Sequence, residues 1–287
     1  MSPHPQRWAG WSERAWWRDE ATDYEVLRGA FFLTCARFQG SMRTDPHPTL
    51  VNIQHDVRTH FGWSYDRDLK SALGLQEACD SHPLADQLEW TPRHRVATLK
   101  SIQATLNEAS TIVVVGAAIE KEALDQPFDA GTVFVAADGA VGACLGRVDV
   151  ACVVTDLDGE PHLSKAAGKG IPFVVHAHGD NDEAWKQCLS KWATTGGVRL
   201  VLTHQTDEAI EGMHNPGGFT DGDRAACFLS WLGVPSDKIR WAGFATDRVG
   251  PWSGATHAER KLAKLSWMAR VLSLIDPEWT KRCIDDD

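Results

Sequence analysis

Val150–Gly159 reads VACVVTDLDG, and the fold follows from how this stretch is understood. Its first half is an unbroken apolar and β-branched run, as expected of a parallel strand buried on both faces, and it ends in an acidic, glycine-bearing turn. Two neighbouring segments repeat the pattern: TVFVAADGA (Thr132–Ala140) and IPFVVHAHGDN (Ile171–Asn181). Working outward, strands are expected at Thr111–Val115, Thr132–Ala136, Ala151–Thr155, Phe173–His176 and Arg199–Thr203, separated by helix-length segments. Such alternation predicts right-handed βαβ units and an α/β fold, a mainly parallel sheet with flanking helices.

Before this region the pattern changes. From Trp8 to about Leu106 apolar residues recur at helical spacing, as in Tyr24, Leu27, Phe31 and Cys35, with loops marked by Pro46 and Pro48 and by Ser81, Pro83, Trp90 and Pro92. A helix is expected from Arg93 to Glu108. The chain thus divides into a mostly helical region, 1–108, and an α/β domain, 109–287. A last amphipathic helix, His257–Ile275, places Leu262, Leu265, Met268, Leu272 and Ile275 on one face, and an acidic tail, Asp285–Asp287, follows.

The chain has 287 residues, 43% of them hydrophobic, enough for a sizeable core. Its net charge of -10 argues against nucleic acid or an anionic membrane surface as partner. Seven scattered cysteines without a C-x-x-C pair suit reduced, buried thiols. No charged leader with an apolar segment opens the sequence, and no apolar run approaches the ~20 residues needed to span a bilayer, so a soluble cytoplasmic protein is expected. The thirteen tryptophans are expected in the core or at interfaces; an apolar face of the helical region would suit a homodimer.

Ligands of open α/β sheets sit beyond the strands' carboxyl ends, where Asp138, Asp156, Asp158 and Asp180 are expected to meet. Crowded carboxylates call for a hard cation between them, so the pattern reads as a magnesium site for a phosphorylated substrate. Asp156 and Asp158, at i and i+2, would face one side of an extended segment and share the ion. A plain Asp-Gly β-turn is the structural alternative. His176 and His178 have no cysteine or third histidine nearby, and packing or orienting roles are expected. In NPGGFTDGDRA (Asn215–Ala225), Gly217 and Gly218 lead into a helix start at which Thr220–Asp223 resembles a capping box. The same geometry offers Gly218, Thr220, Asp221 and Arg224 to phosphate. Lys165 and Lys169 follow the TDLDG turn and would neutralise remaining phosphate charge, whereas Lys261 and Lys264 read as a solvated helix face. Gly116 after TIVVV resembles the first βα turn of nucleotide folds, but GAAIEKE is neither a G-x-G-x-x-G nor a Walker sequence.

Taken in order, ADGA, VVTDLDG, VVHAHGDN and GGFTDGDRA resemble the archaeal type of 6-hydroxymethyl-7,8-dihydropterin pyrophosphokinase, whose fold is similar to that of thiamin pyrophosphokinase. The likeness is firm from about Val113 to Ser253; FGWSYDRD (Phe61–Asp68) resembles the family's helical N-terminal part, and ERKLAKL its last helix. Two departures stand out: GAAIEKE replaces a loop that usually reads like G-x-G-P-S-L, and Trp252 replaces a different aromatic. The resemblance implies magnesium-dependent diphosphate transfer from ATP to the hydroxymethyl pterin, releasing AMP, on the way to tetrahydromethanopterin or folate. It implies Asp138, Asp156 and Asp158 as metal ligands, and Asp180 as a further ligand or the proton acceptor. Gly116, Lys169, Gly218, Thr220, Asp221 and Arg224 would contact ATP, and Asn181 and Asp247 the pterin edge. The rival readings are thiamin pyrophosphokinase, a glycosyltransferase-like protein and a non-catalytic nucleotide-binding module.

Overall fold

The computed structural model describes residues 47–254 and 257–284, all within one compact unit. Tyr24, Leu27, Phe31, Cys35, with residues 1–46 of the expected helical region, and the tail Asp285–Asp287 lie outside these residues.

Seven parallel strands make one sheet: β1 Thr111–Val115, β2 Thr132–Ala137, β3 Val150–Thr155, β4 Phe173–Ala177, β5 Leu200–His204, β6 Met213–His214 and β7 Ile239–Ala242. Their order is β6-β5-β4-β3-β2-β1-β7. The five expected strands form within a residue of their expected ends. β6 and β7 were not expected: one has two residues and the other, IRWA, carries an arginine, so neither shows a strand-length apolar run. The chain steps from β1 to β6 in one direction and then returns to place β7 on the far side of β1. This reversal opens a crevice at the carboxyl ends of β1 and β7, the place where open α/β sheets bind ligands.

Alternate strand residues divide between two faces, as the two-residue period requires. One face (Val113, Val115, Phe134, Val153, Val175, Leu202) packs against α2 Tyr65–Asp80, α4 Val141–Cys144, α5 His162–Ala167 and α6 Asp182–Thr195. The other (Ile112, Val114, Val135, Val154, Val174, Val201) packs against α3 Pro92–Glu108, α7 Asp221–Trp231 and α8 Ala258–Ile275. α1 Pro48–Phe61 lies outside α7 and α8 through Leu50, Ile53, Cys227 and Val271. On α8 the buried stripe is Leu265, Met268, Val271 and Leu272; Leu262, expected on that stripe, is 38% exposed. α2 and α3 therefore share the sheet's core, while α1 packs outside it. Among the described residues no helix is long and apolar enough to cross a membrane.

Candidate active site

Because all strands run the same way, the turns after β2, β3 and β4 and the start of α7 meet on one rim. There Asp138, Asp156 and Asp158 each offer an oxygen, all within 4.8 Å of one another. The turns are unusual: Asp138 has φ 47° and Leu157 has φ 76°, a region non-glycine residues seldom adopt. Asp156 and Asp158 are consequently joined by a bend around buried Leu157, not by the extended segment expected from their spacing. Local strain held in place by packing is a mark of functional sites.

Asp138 is 5% exposed; its Oδ1 accepts from the Thr155 hydroxyl at 2.5 Å and the Gly159 N–H at 3.2 Å. A side chain on Gly159 would come within 2.4 Å of Asp138 Oδ2, so only glycine fits. Burial, then the charges of Asp221, Asp158 and Asp156, raise the Asp138 carboxyl well above its usual range. Asp158 is also raised, by burial and by Asp156. Burial acts against Asp156 too, but the hydrogen bond and charge of His178, with Arg224, outweigh it and keep Asp156 ionised. His178 Nε2 lies 3.2 Å from Asp156 Oδ2 and Nδ1 lies 2.7 Å from Asp180 Oδ1. Burial lowers the His178 pKa, but these two carboxylates win and lift it to about 9. Asp180, 59% exposed, thus joins the trio only through His178, whose hydrogen bond holds its pKa at about 2.

The donor set fits a hard divalent cation. Asp156 Oδ1 is buried without a hydrogen-bond partner, and a buried acceptor of that kind is costly unless something positive meets it. A cation among three carboxylates would also remove the repulsion that raises two of them.

Arg224, 5% exposed, reaches Asp156 Oδ2 at 3.2 Å and Asp221 Oδ1 at 3.1 Å, and its Nη2 donates to Gln205 Oε1 at 3.4 Å. Its Nη1 holds and aims both carboxylates, and its Nε is buried without a hydrogen-bond partner among the described residues. Asp221 is raised to about 7, first by burial and then by Asp156. At the start of α7, Asp223 accepts from the backbone N–H groups of Phe219 (2.7 Å) and Thr220 (2.6 Å) and from the Thr220 hydroxyl, the reach-back half of the expected capping box.

The crevice between β1 and β7 opens beside these acids. Its walls are Gly116–Ala118, Gly243–Ala245 and Met268, with Asp138, Asp158, Thr220, Asp221 and Lys261 at the edge. A Cβ on Gly116 would lie 2.6 Å from the Gly243 carbonyl, so GAAIEKE keeps its glycine for close loop packing. Trp252 closes the same corner, its indole donating to the Ile119 carbonyl at 2.8 Å.

Several expected contacts are not brought together. Lys169 leaves α5 at the amino end of β4, because the helix carries the chain back down the sheet, and lies at the edge opposite the acids. Asn181 is spent internally: its Nδ2 donates to the Asp156 and His176 carbonyls (2.9 and 2.7 Å), and its Oδ1 accepts from His178 N–H at 3.0 Å and the Ser71 hydroxyl at 3.3 Å. Asp247 is 79% exposed beside Arg248, not the buried group a pterin edge needs. Gly218, with φ 86°, sits behind α7, where a Cβ would lie 2.8 Å from the Arg224 backbone; its carbonyl accepts from Gln54 at 3.0 Å.

Other residues were missed. Asp68, in the FGWSYDRD segment, accepts from Gly179 N–H (2.7 Å) and Gln205 Nε2 (2.8 Å) and pairs with Arg58 at 3.4 Å, tying α1 and α2 to the rim. Nothing in the sequence links positions 137 residues apart. Lys261 and Lys264, read as a solvated face, are both partly buried and directed at the acids.

Fold and site together define a doubly wound α/β protein whose strand ends carry a carboxylate cluster able to hold a metal ion. The chain matches no protein-family model. It is 37% identical over 155 residues to the 6-hydroxymethyl-7,8-dihydropterin pyrophosphokinase of Pyrococcus furiosus, a match covering 51% of this chain and 61% of that protein. Proteins of the same name are 39% identical over 115 residues in Methanothermobacter thermautotrophicus (39% of this chain, 45% of the relative) and 38% over 99 residues in Methanocaldococcus jannaschii (34% and 40%). The matched part of this chain is thus similar to the archaeal 6-hydroxymethyl-7,8-dihydropterin pyrophosphokinases, and it spans less than two thirds of their length.

Proposed function

We propose that this chain transfers the diphosphate of ATP to the hydroxymethyl oxygen of 6-hydroxymethyl-7,8-dihydropterin, releasing AMP, in tetrahydromethanopterin or folate synthesis, with Mg²⁺ held by Asp138, Asp156 and Asp158. The observation that carries the reading is the close trio of carboxylates, Asp138 buried among them, with a buried unpartnered oxygen on Asp156, in a chain similar to proteins of that name. Magnesium, when bound, would supply positive charge to the phosphate oxygens.

In this reaction the pterin oxygen forms a bond to the β-phosphorus while the bond from that phosphorus to the oxygen shared with the α-phosphate breaks. The hydroxyl proton leaves for a carboxylate or water, and AMP carries the charge of the broken bond away. No protein nucleophile is needed, so the chain's part is alignment and charge. Arg224 and His178 hold Asp156 ionised and aimed; Thr155 and the Gly159 N–H fix Asp138. The crevice between the Gly116 and Gly243 loops is where a substrate ring would enter.

The test is product analysis with ATP, Mg²⁺ and either the hydroxymethyl pterin or thiamin. AMP formed one for one with pterin methyl diphosphate is expected. Turnover with thiamin alone would move the assignment to thiamin pyrophosphokinase, and no AMP with either acceptor would leave a binding module.

A further inference from the structure

Two kinds of seat for a cation recur among the described residues. Arg58, Arg95 and Arg224 each have a carboxylate partner. Arg260, Lys261 and Lys264, on the first two turns of α8, make no ion pair among the described residues, although Lys264 lies in the field of Asp156 and Asp221. What holds two of them is aromatic. Lys264 Nζ sits 5.4 Å from the Trp63 ring centre and 5.7 Å from that of Phe219, and Arg260 lies 5.0 Å over Trp63. Trp63 in turn stacks on Phe61 at 4.7 Å and on Phe219 at 5.2 Å, so the platform is rigid. Lys261, one turn before Lys264, lines the crevice beside Asp158 and Asp221.

A cation seated on ring faces is positioned without being neutralised, and its ammonium keeps its full appetite for an anion. Carboxylates in view but out of contact leave a gap between the two charges. A metal-bound polyphosphate has the complementary shape: some oxygens face the metal, and the others face away and need donors. We propose that Lys264 and Lys261 are the phosphate-binding arm of this site, gripping the polyphosphate oxygens that point away from Asp138, Asp156 and Asp158, with Trp63 and Phe219 as the platform that sets Lys264 in place. The inference rests on the reading that the site takes a metal-bound nucleotide. It gives the aromatic residues of FGWSYDRD and the lysines of ERKLAKL a shared purpose.

The probe is inorganic tripolyphosphate with Mg²⁺, titrated calorimetrically into the full chain, which needs neither pterin nor turnover. Lys264→Gln is expected to weaken binding about tenfold or more, the worth of one charge-assisted contact, and Lys264→Arg to restore most of it. Lys261→Gln is expected to weaken it about threefold to tenfold. The unfolding temperature of each variant is recorded alongside, and if Lys264→Gln does not fold, Lys261→Gln and Lys264→Arg decide. Wild-type affinity in the folded glutamine variants would overturn the lysine arm while leaving the nucleotide reading in place. No tripolyphosphate binding by the wild-type chain with Mg²⁺ would overturn both.

Discussion

The two ends of the sheet are built from the same strands and differ in almost every physical respect. At the carboxyl edge, Asp138 and Asp223 are buried, two non-glycine residues hold left-handed backbone, and one carboxylate oxygen is left unmatched. At the amino edge, Lys169, Asp129 and Asp149 are exposed, and Arg147 pairs with Asp125 at 2.8 Å on the surface. Charges at the second edge are solvated and cost nothing to leave there; those at the first are held against repulsion and desolvation. Proteins accept such costs where function demands them, which is why the proposed chemistry is placed at the first edge.

The comparison breaks most visibly at Asp158. Asp158→Asn is expected to lower AMP formation by about 10²-fold or more, since it removes a ligand of the proposed Mg²⁺ site. The same variant, freed of carboxylate repulsion, should unfold at a higher temperature than wild type when no divalent cation is present; calorimetric scans with and without Mg²⁺ check both parts. Near-normal turnover would remove the metal role.

Next comes the tie that holds the carboxyl edge from behind. Asp68→Ala leaves Arg58 buried without its carboxylate and frees Gly179 and Gln205, and a loss of roughly 3–5 kcal/mol in denaturant unfolding is expected. Restoring the shape with Asp68→Asn should recover only part of it.

Acid should then weaken the β5–β6 side. Burial, with His214 adding to it, lowers His204 to about 4, and burial, with Arg95, lowers His214 to about 4. Both pKa values are depressed in the folded state, so the neutral forms stabilise the fold above about pH 6.5 and that contribution falls away towards pH 4. Roughly 3 kcal/mol per histidine is at stake, read from denaturant midpoints between pH 7 and 4.5. A His204→Gln variant should show a shallower decline.

The smallest effect belongs to the amino edge. Lys169→Ala is expected to change stability by no more than about 0.5 kcal/mol and turnover by less than about twofold. A large loss of activity would mean that the two edges are not as separate as they stand.

What could be read in advance follows this division by range. The five central strands were legible because both faces are buried and the runs are continuous; the acid turns were legible because Asp and Gly mark the strand ends. The Asp223 reach-back to Thr220 was legible too, being a contact across three residues. Lys169 misled because nearness to TDLDG in sequence is not nearness in space: a single helix returns the chain to the other edge. Asn181 misled for the opposite reason, its side chain being consumed by backbone groups of its own turn.

The sequence by itself determined the α/β class, the strand-turn units and the residues with ionisable chemistry, because each depends on burial and turn preferences within a few positions. Tertiary structure alone decided the sheet order that opens the β1–β7 crevice, the Leu157 bend that gathers Asp156 and Asp158, and the Asp68–Gln205 tie. It also decided that lysines on α8 look onto carboxylates from β3. Those depend on which distant segments pack side by side, and packing is a property of the whole core, not of any one stretch of it.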